Sequence, residues 1–153
     1  MTVLGLRCGS KEFSYSIVRG TMTTPELVES QTMKYPTGFN DSQRVKWFYQ
    51  EIDGLMKRHS AESLGIKGTE PMAMKGSVFG CRIEMEAMAL LAVANNGIKY
   101  VKRKVNGTIA KDFGLKGKKK YLETGIDYSK IPDYDSKSAN IKESILIAWS
   151  MLN

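Results

Sequence analysis

The chain has 153 residues, a formal net charge of +7 at pH 7 and a hydrophobic fraction of 42%. This length predicts a single domain over residues 1–153. No stretch reaches the roughly 18 uncharged apolar residues that a membrane span needs, and the first residues lack a signal-peptide pattern, so we expect no membrane partner and a cytoplasmic location. The positive charge favours an anionic partner, most often nucleic acid.

The first part of the chain alternates between apolar and polar residues, as β-strands do. Residues 2–6 and 13–18 are predicted to form a hairpin with a turn around residues 8–12. A third strand is predicted within residues 27–35, because proline and glycine interrupt the pattern at residues 36–38.

The middle of the chain changes to helical spacing. Good N-cap residues at positions 40–42 precede apolar side chains at helical spacing, which predicts an amphipathic helix that ends near residue 59. Residues 63–69 predict a fourth strand and residues 98–101 a fifth. Between them, residues 78–96 are rich in Met, Ala and Leu and predict a largely buried helix.

The last third of the chain carries a basic region and a final helix. Residues 102–137 are basic and glycine-bearing and follow no regular pattern, whereas residues 138–152 predict a helix with an apolar stripe. The order β-β-β-α-β-α-β-(basic region)-α therefore predicts an α/β fold. Its mixed five-stranded sheet has the first three strands antiparallel and is flanked by helices.

Most of the positive charge lies in residues 98–120. Nine lysines and arginines less one aspartate, Asp112, give this segment +8, so the rest of the chain is about neutral. We expect its lysines and glycines to follow a phosphate backbone without reading bases; the alternative is a solvated loop. The predicted nucleic-acid-binding residues are Lys102, Arg103, Lys104, Lys111, Lys116, Lys118, Lys119 and Lys120.

Cysteine and histidine are scarce. Cys8 and Cys81 are predicted to be reduced, buried side chains, and the only histidine, His59, is predicted to cap the first helix. A structural zinc site takes about four ligands, so we expect no zinc. A single histidine in this position also argues against Ser-His-Asp and Cys-His catalysis.

The order of elements resembles that of the ribonuclease H-like fold, and four short segments resemble its RuvC resolvase branch. They are residues 4–10 (LGLRCGS), 67–71 (KGTEP), 102–120 and 143–148 (ESILIA). The stretch KGSVFGCRIEMEA is similar to uncharacterised bacterial proteins of this fold. The resemblance implies a DNA or RNA partner, a homodimer as in many resolvases, and a nuclease site where carboxylates hold two divalent metals, Mg²⁺ or Mn²⁺.

The chain departs from the resembled family at the metal-binding positions. Arg7 occupies the position of the key first-strand carboxylate, and a guanidinium cannot ligate a cation. Glu70 or Thr69 falls at the second acidic motif, and the final helix offers Asn140 and Glu143. We therefore expect a degenerate site in which Arg7 pairs with Glu143 where a metal would otherwise bind.

Three functions remain open from the sequence. The first is a RuvC-like domain that binds nucleic acid and has lost metal-dependent cleavage. The second is an active, structure-selective endonuclease whose metal ligands come from Glu70, Glu143 and an aspartate loop with Asp127, Asp133 and Asp135. The third is a protein-interaction or assembly module without a nucleic-acid role.

Overall fold

A computed structural model describes all residues from 1 to 153 and contains five strands and five α-helices. The strands are β1 (Thr2–Cys8), β2 (Glu12–Gly20), β3 (Pro25–Lys34), β4 (Ser63–Lys67) and β5 (Tyr100–Lys104). The helices are α1 (Asp41–Arg58), α2 (Gly76–Asn95), α3 (Asn106–Asp112), α4 (Lys119–Thr124) and α5 (Ala139–Trp149). Short 3₁₀ turns follow β4 and precede α5.

The five strands form one mixed sheet in the order β3-β2-β1-β4-β5. The hairpin partners β1 and β2 are antiparallel, as are β2 and β3. The central strand β1 runs parallel to β4, which runs parallel to β5. The predicted α/β class, with a mixed five-stranded sheet and three antiparallel starting strands, is confirmed.

Helices cover both faces of the sheet. Leu4 and Leu6 of β1 pack with Phe48 of α1 and Met85 of α2 in the larger core cluster. Val3 packs on the opposite face, in the cluster that contains Ile145 and Trp149 of α5. This division follows from the two-residue period of a strand, which sends successive side chains to opposite faces.

Two glycines bring α5 unusually close to the centre of the sheet. Gly5 of β1 and Gly65 of β4 are register partners. A Cβ atom at Gly5 would lie 2.0 Å from the carbonyl oxygen of Ser144, and one at Gly65 would lie 2.8 Å from the side chain of Ile147. This close approach packs the middle of α5 on the centres of β1 and β4, so that Glu143, one residue before Ser144, reaches Arg7 near the carboxyl end of β1.

The predicted start and end of α1 agree with the structure. The Asn40 side chain accepts a hydrogen bond from the backbone N–H of Gln43, and the Gln43 side chain accepts one from the backbone N–H of Asn40. This reciprocal capping box satisfies two of the free N–H groups at a helix start. His59 is the C-cap residue of α1, and its Nε2 lies 3.1 Å from Oε2 of Glu29. Both contacts give the histidine a role in the structure.

The prediction of an irregular segment at 102–137 is wrong, because this part of the chain contains α3 and α4. Ile109, Ala110 and Leu122 from the two helices are buried against Leu146 and Ile147 of α5. Each of these helices spans fewer than eight residues. A helix of two turns repeats its apolar spacing too few times to stand out in a basic sequence.

The prediction that the second helix is largely buried is also wrong. The outer face of α2 exposes Ile83, Leu90 and Leu91, which have 38%, 39% and 47% of their surface accessible. Cys81 on this helix is only partly buried, whereas Cys8 in β1 is fully buried, and both are free thiols. A helix that is apolar all round is usually enclosed, but α2 packs only against α1 and the sheet. None of the helices is both long and apolar enough to cross a membrane.

Candidate functional site

The candidate site lies at the carboxyl ends of the two central parallel strands, under the start of α5. The register that pairs Leu6 with Ile66 brings the next residues, Arg7 and Lys67, to the same level on neighbouring strands. Ligands of open α/β sheets bind outside the carboxyl ends of the strands. The centre of this location is therefore occupied by two cationic side chains.

Arg7 is held by an ion pair to α5. Its Nε donates a hydrogen bond to Oε2 of Glu143 at 3.1 Å, and its Nη1 donates to the backbone carbonyl of Cys8 at 2.8 Å. The two charged side chains are 22% and 30% exposed. This is the contact that the sequence predicts, and it uses Glu143 as the partner of an internal cation.

Lys67 forms a second ion pair, with Glu70. The Lys67 side chain is 3% exposed, and its Nζ lies 2.9 Å from Oε1 of Glu70. The same carboxylate accepts the backbone N–H of Asn106 at 2.9 Å. Burial acts to raise the pKa of Glu70, but the hydrogen bonds from Asn106 and Lys67 outweigh it, so the pKa of this carboxyl is lowered. We call Arg7, Lys67, Glu70 and Glu143 together the ion-pair site.

Arg82 of α2 adds another cation beneath the site. It is 8% exposed and donates from Nη2 to the backbone carbonyl of Lys67 at 3.1 Å, while its buried Nε has no partner. Burial and then the nearby charge of Arg7 lower the pKa of Arg82. Its guanidinium stays protonated, since arginine does not lose its proton in proteins.

A fully buried carboxylate, Glu86, balances part of this charge. One of its oxygens lies 2.7 Å from Nε of Arg103, a close ion pair without the alignment of a hydrogen bond. Burial raises the pKa of Glu86 against the opposing pull of Arg103 and Arg82. Glu86 and Arg82 are four residues apart on α2 and therefore lie on the same side of the helix.

An open cleft of about 480 Å³ lies beside the ion-pair site. Its lining includes Arg7, Lys11, Lys34 and Arg82, the amide of Asn140, and one carboxylate, that of Glu12. Lys11 and Lys34 come from the β1–β2 turn and the end of β3 and are exposed. We call these four cations and Asn140 the basic groove. Its charge suits an anion such as phosphate.

The residues present do not fit a two-metal site. Divalent metals of this class require several carboxylate oxygens, but Glu70 and Glu143 each already pair with a cation of the protein. No group of three or more His, Cys, Asp or Glu side chains comes together anywhere in the chain. Thr69, which shares the second acidic motif with Glu70, is 8% exposed and its hydroxyl has no partner.

The aspartate loop does not supply the missing ligands. Asp127 accepts hydrogen bonds from the backbone and side chain of its neighbour Ser129, which lower its pKa. Asp133 has a left-handed backbone and precedes a 3₁₀ turn that contains Asp135. These aspartates do not join Glu70 and Glu143 in a ligand group.

Two of the eight residues predicted to bind nucleic acid form ion pairs within the protein. Arg103 pairs with Glu86. Lys104 pairs with Asp112 at 2.8 Å and donates to the backbone carbonyl of Ser150 at 3.1 Å. The remaining six are exposed: Lys102, Lys111, Lys116, Lys118, Lys119 and Lys120.

The sequence interpretation overlooked four residues of the site: Lys67, Arg82, Lys11 and Lys34. Lys67 is the only charged residue of β4, and Arg82 is one of few charges in an apolar helix. Two features of the sequence could have indicated these residues. Lys67 is a single charge in an otherwise buried strand, and Arg82 has an opposite charge, Glu86, four residues later on the same helix. Nothing in the local pattern links Lys11 and Lys34, which meet only because β1 to β3 form a meander.

Comparison with known proteins rests on the fold. No protein-family model and no curated protein matches the sequence. Among solved structures, Thermus thermophilus RuvC in complex with a Holliday junction substrate superimposes with a TM-score of 0.77 at 13% identity, covering 98% of this chain and 91% of RuvC. The chain has the fold of the RuvC resolvases.

Two other resolvases of this RuvC-like fold are also similar. The yeast mitochondrial Holliday junction resolvase has a TM-score of 0.63 at 13% identity, covering 97% of this chain and 77% of the yeast protein. The fowlpox virus resolvase has a TM-score of 0.57 at 14% identity, covering 98% of this chain and 95% of the viral protein. The resemblance to the RuvC branch of the ribonuclease H-like fold is thereby confirmed for the fold.

Proposed function

We propose that this RuvC-like domain binds nucleic acid, with branched DNA as the first candidate, and does not cleave it by a metal-dependent mechanism. The observation that carries the proposal is the pairing of Arg7 with Glu143 and of Lys67 with Glu70 at the carboxyl ends of β1 and β4. Similarity of fold to resolvases that act on Holliday junctions supports the choice of partner.

The electrostatics of the ion-pair site oppose metal binding. A divalent ion about 5 Å from one unit positive charge is repelled by about 7 kcal/mol at an effective dielectric constant near 20. Arg7, Lys67 and Arg82 supply three such charges and the two carboxylates offset two of them, so a metal ion would meet a net positive charge where it needs a negative one. To bind there, a metal would also have to break both ion pairs. The alternative of an active nuclease that uses Glu70 and Glu143 is therefore disfavoured.

The same charges favour a phosphate. Arginine presents a fork of N–H donors that matches phosphate oxygens, and Arg82 is already buried and held in place by the Lys67 carbonyl. Lys11 and Lys34 at the mouth of the basic groove would contact the neighbouring backbone. The exposed lysines at 116–120 form a second basic surface on α4 and the segment before it.

The decisive experiment measures binding and cleavage on the same substrates. Fluorescence anisotropy with a four-way junction, duplex and single-stranded DNA, and matching RNA should show salt-sensitive binding, and gels with Mg²⁺ or Mn²⁺ should show intact substrate. Lys11→Glu/Lys34→Glu should weaken binding at least tenfold, whereas Lys46→Glu on α1 should not. Cleavage that Glu143→Gln abolishes would overturn the inactive assignment, and failure to bind at low salt would overturn the nucleic-acid role.

We further propose that two copies of the chain associate through the outer face of α2. Ile83, Leu90 and Leu91 lie on that face at helical spacing and are exposed, with Ala87 and Ala94 between and beyond them. Contiguous exposed apolar surface commonly marks an interface. Sedimentation should detect a dimer that Leu90→Glu disrupts, and Val28→Glu, a change of an equally exposed residue on β3, should leave it intact. A monomer at all concentrations would contradict this proposal.

A dimer without nucleic-acid binding would support the assembly-module alternative.

We also propose that the protein is located in the cytoplasm, where thiols stay reduced. The free state of Cys8 and Cys81 agrees with that location.

A further inference from the structure

A second cavity lies on the other side of Glu143, between α4, α5 and the 3₁₀ turns that precede α5. Its volume is about 290 Å³, at the lower end of the range for small-ligand pockets. Leu122 and Leu146 form apolar walls. Tyr128 and Tyr134 also line it, with their rings stacked on each other at a centroid distance of 4.1 Å. The cavity therefore offers a flat ligand mainly apolar and aromatic surface.

The side chain of Asn106 is an unpartnered polar group in this cavity. Asn106 opens α3, is 9% exposed and has its backbone N–H fixed by Glu70 at 2.9 Å. Its carboxamide forms no hydrogen bond within the protein and lines the cavity. The polar atoms of this amide reach solvent at the cavity surface, so its donor and acceptor are free for a ligand.

The charged residues around the cavity narrow the choice of ligand. Glu123 and Asp135 line it and can accept hydrogen bonds from amino groups. Glu143, which pairs with Arg7, and two lysines, Lys119 and Lys142, also line it. Lys119 belongs to α4, whose first residues continue the basic surface of Lys116 and Lys118. A fitting ligand is a flat ring with an amino-bearing edge and an anionic backbone attached, which describes a nucleotide.

We infer that this cavity, the Asn106 pocket, receives an unpaired adenine of the bound nucleic acid. The inference rests on the proposed function, because a nucleic-acid strand bound along the lysines of α4 would bring the base to the pocket. An asparagine amide matches the adjacent acceptor and donor of adenine in a bidentate pair. Taking a base out of its stack costs least where the base is already unpaired, so the pocket selects bases at junctions, bulges or single-stranded ends.

Adenosine tests the pocket without the basic groove, because it lacks a phosphate. Calorimetry should show that adenosine binds the full-length protein and that uridine binds at least tenfold more weakly. Asn106→Leu should abolish adenosine binding. Thr108→Val, an exposed change on the same helix, should have no effect. Should Asn106→Leu fail to fold, Asn106→Ala provides the same comparison.

A second measurement tests whether the pocket binds an adenine that is part of a nucleic acid. A duplex with one unpaired adenine should bind the wild type at least several-fold more tightly than the same duplex with an abasic site, and Asn106→Leu should bind both equally. Equal affinity of the wild type for both duplexes, or adenosine binding that survives Asn106→Leu, overturns the inference and leaves the proposed function standing. Adenosine binding through Asn106 with no affinity for any nucleic acid overturns the proposed function instead.

Discussion

Arg7 and Lys67 lie side by side at the carboxyl ends of parallel strands, and each forms an ion pair with a glutamate, Glu143 and Glu70. Metal-dependent phosphoryl chemistry needs free carboxylate oxygens at such a site. Here both carboxylates of the site, Glu143 and Glu70, serve as counter-ions of an arginine and a lysine. The ion pairs cancel each other's charge, and the further cations Arg82, Lys11 and Lys34 give the adjoining basic groove the positive charge of a phosphate receptor, whereas a metal centre would need a negative charge.

The Arg7–Glu143 pair is expected to contribute to stability. Arg7→Met should lower the free energy of unfolding by about 1–2 kcal/mol, because Glu143 is left partly buried without its charged donor. A double-mutant cycle with Glu143→Gln in urea denaturation should give a coupling of about 1 kcal/mol. The exposed pair Arg19–Glu26 is the control and should couple more weakly. Equal coupling in the two cycles would contradict a special role for Arg7.

Stability should fall in acid partly through Glu70. Its lowered pKa means that the folded state favours the charged form, so its contribution is present above the ordinary carboxyl pKa of 4.5 and is lost as the pH falls through the folded-state value. The stability difference between wild type and Glu70→Gln should thus be largest at neutral pH and vanish in acid. Urea titrations across this pH range measure it. A difference that grows on acidification would refute the assigned direction.

Much of the fold could be predicted because alternation and helical spacing are local properties. The hairpin, α1 with its Asn40 cap, and the sheet class all follow from them. The meeting of Arg7 with Glu143 follows only once the last helix is placed over the first strand. That step came from the resemblance of the element order, since no local pattern relates residues so far apart.

The packing of α5 on the sheet should depend on Gly5. Gly5→Ala should cost roughly 3 kcal/mol or more in unfolding free energy, because the new methyl group meets the Ser144 backbone and the Ala148 side chain. Gly54→Ala in α1, where the added methyl group would meet no atom outside the local helix backbone within 4 Å, should instead stabilise by about 0.5–1 kcal/mol. Thermal and urea denaturation measure both variants. Similar small effects at the two positions would show that α5 is not held this closely.

The basic groove predicts a specific change in salt dependence. Lys11→Ala and Lys34→Ala should each reduce the slope of log K against log salt by about 1, since each removes one phosphate contact. Lys46→Ala on α1 should leave the slope unchanged. Arg103→Ala should act mainly on stability, because its partner Glu86 is buried. Anisotropy titrations on duplex DNA over a range of salt concentrations provide the slopes.

The parts of the site that could not be predicted depend on tertiary packing. Lys67 is covered by the turn that carries Glu70, and Arg82 reaches the carbonyl of Lys67 across the interface between α2 and the sheet. The Asn106 pocket needs α4 and α5 in contact, and the short α4 left no periodic trace in a lysine-rich sequence. The charge pattern of the sequence showed an excess of cations in residues 98–120 but did not indicate the cations that meet in the basic groove.

Titration with Mn²⁺ in a calorimeter tests the central claim most directly. The wild type should show no specific binding, because Arg7 and Lys67 already neutralise Glu143 and Glu70. An Arg7→Asp/Lys67→Glu variant, which restores carboxylates beside those glutamates, should bind the ion and show that the assay detects such a site. Tight, stoichiometric binding by the wild type that Glu143→Ala abolishes would contradict the account.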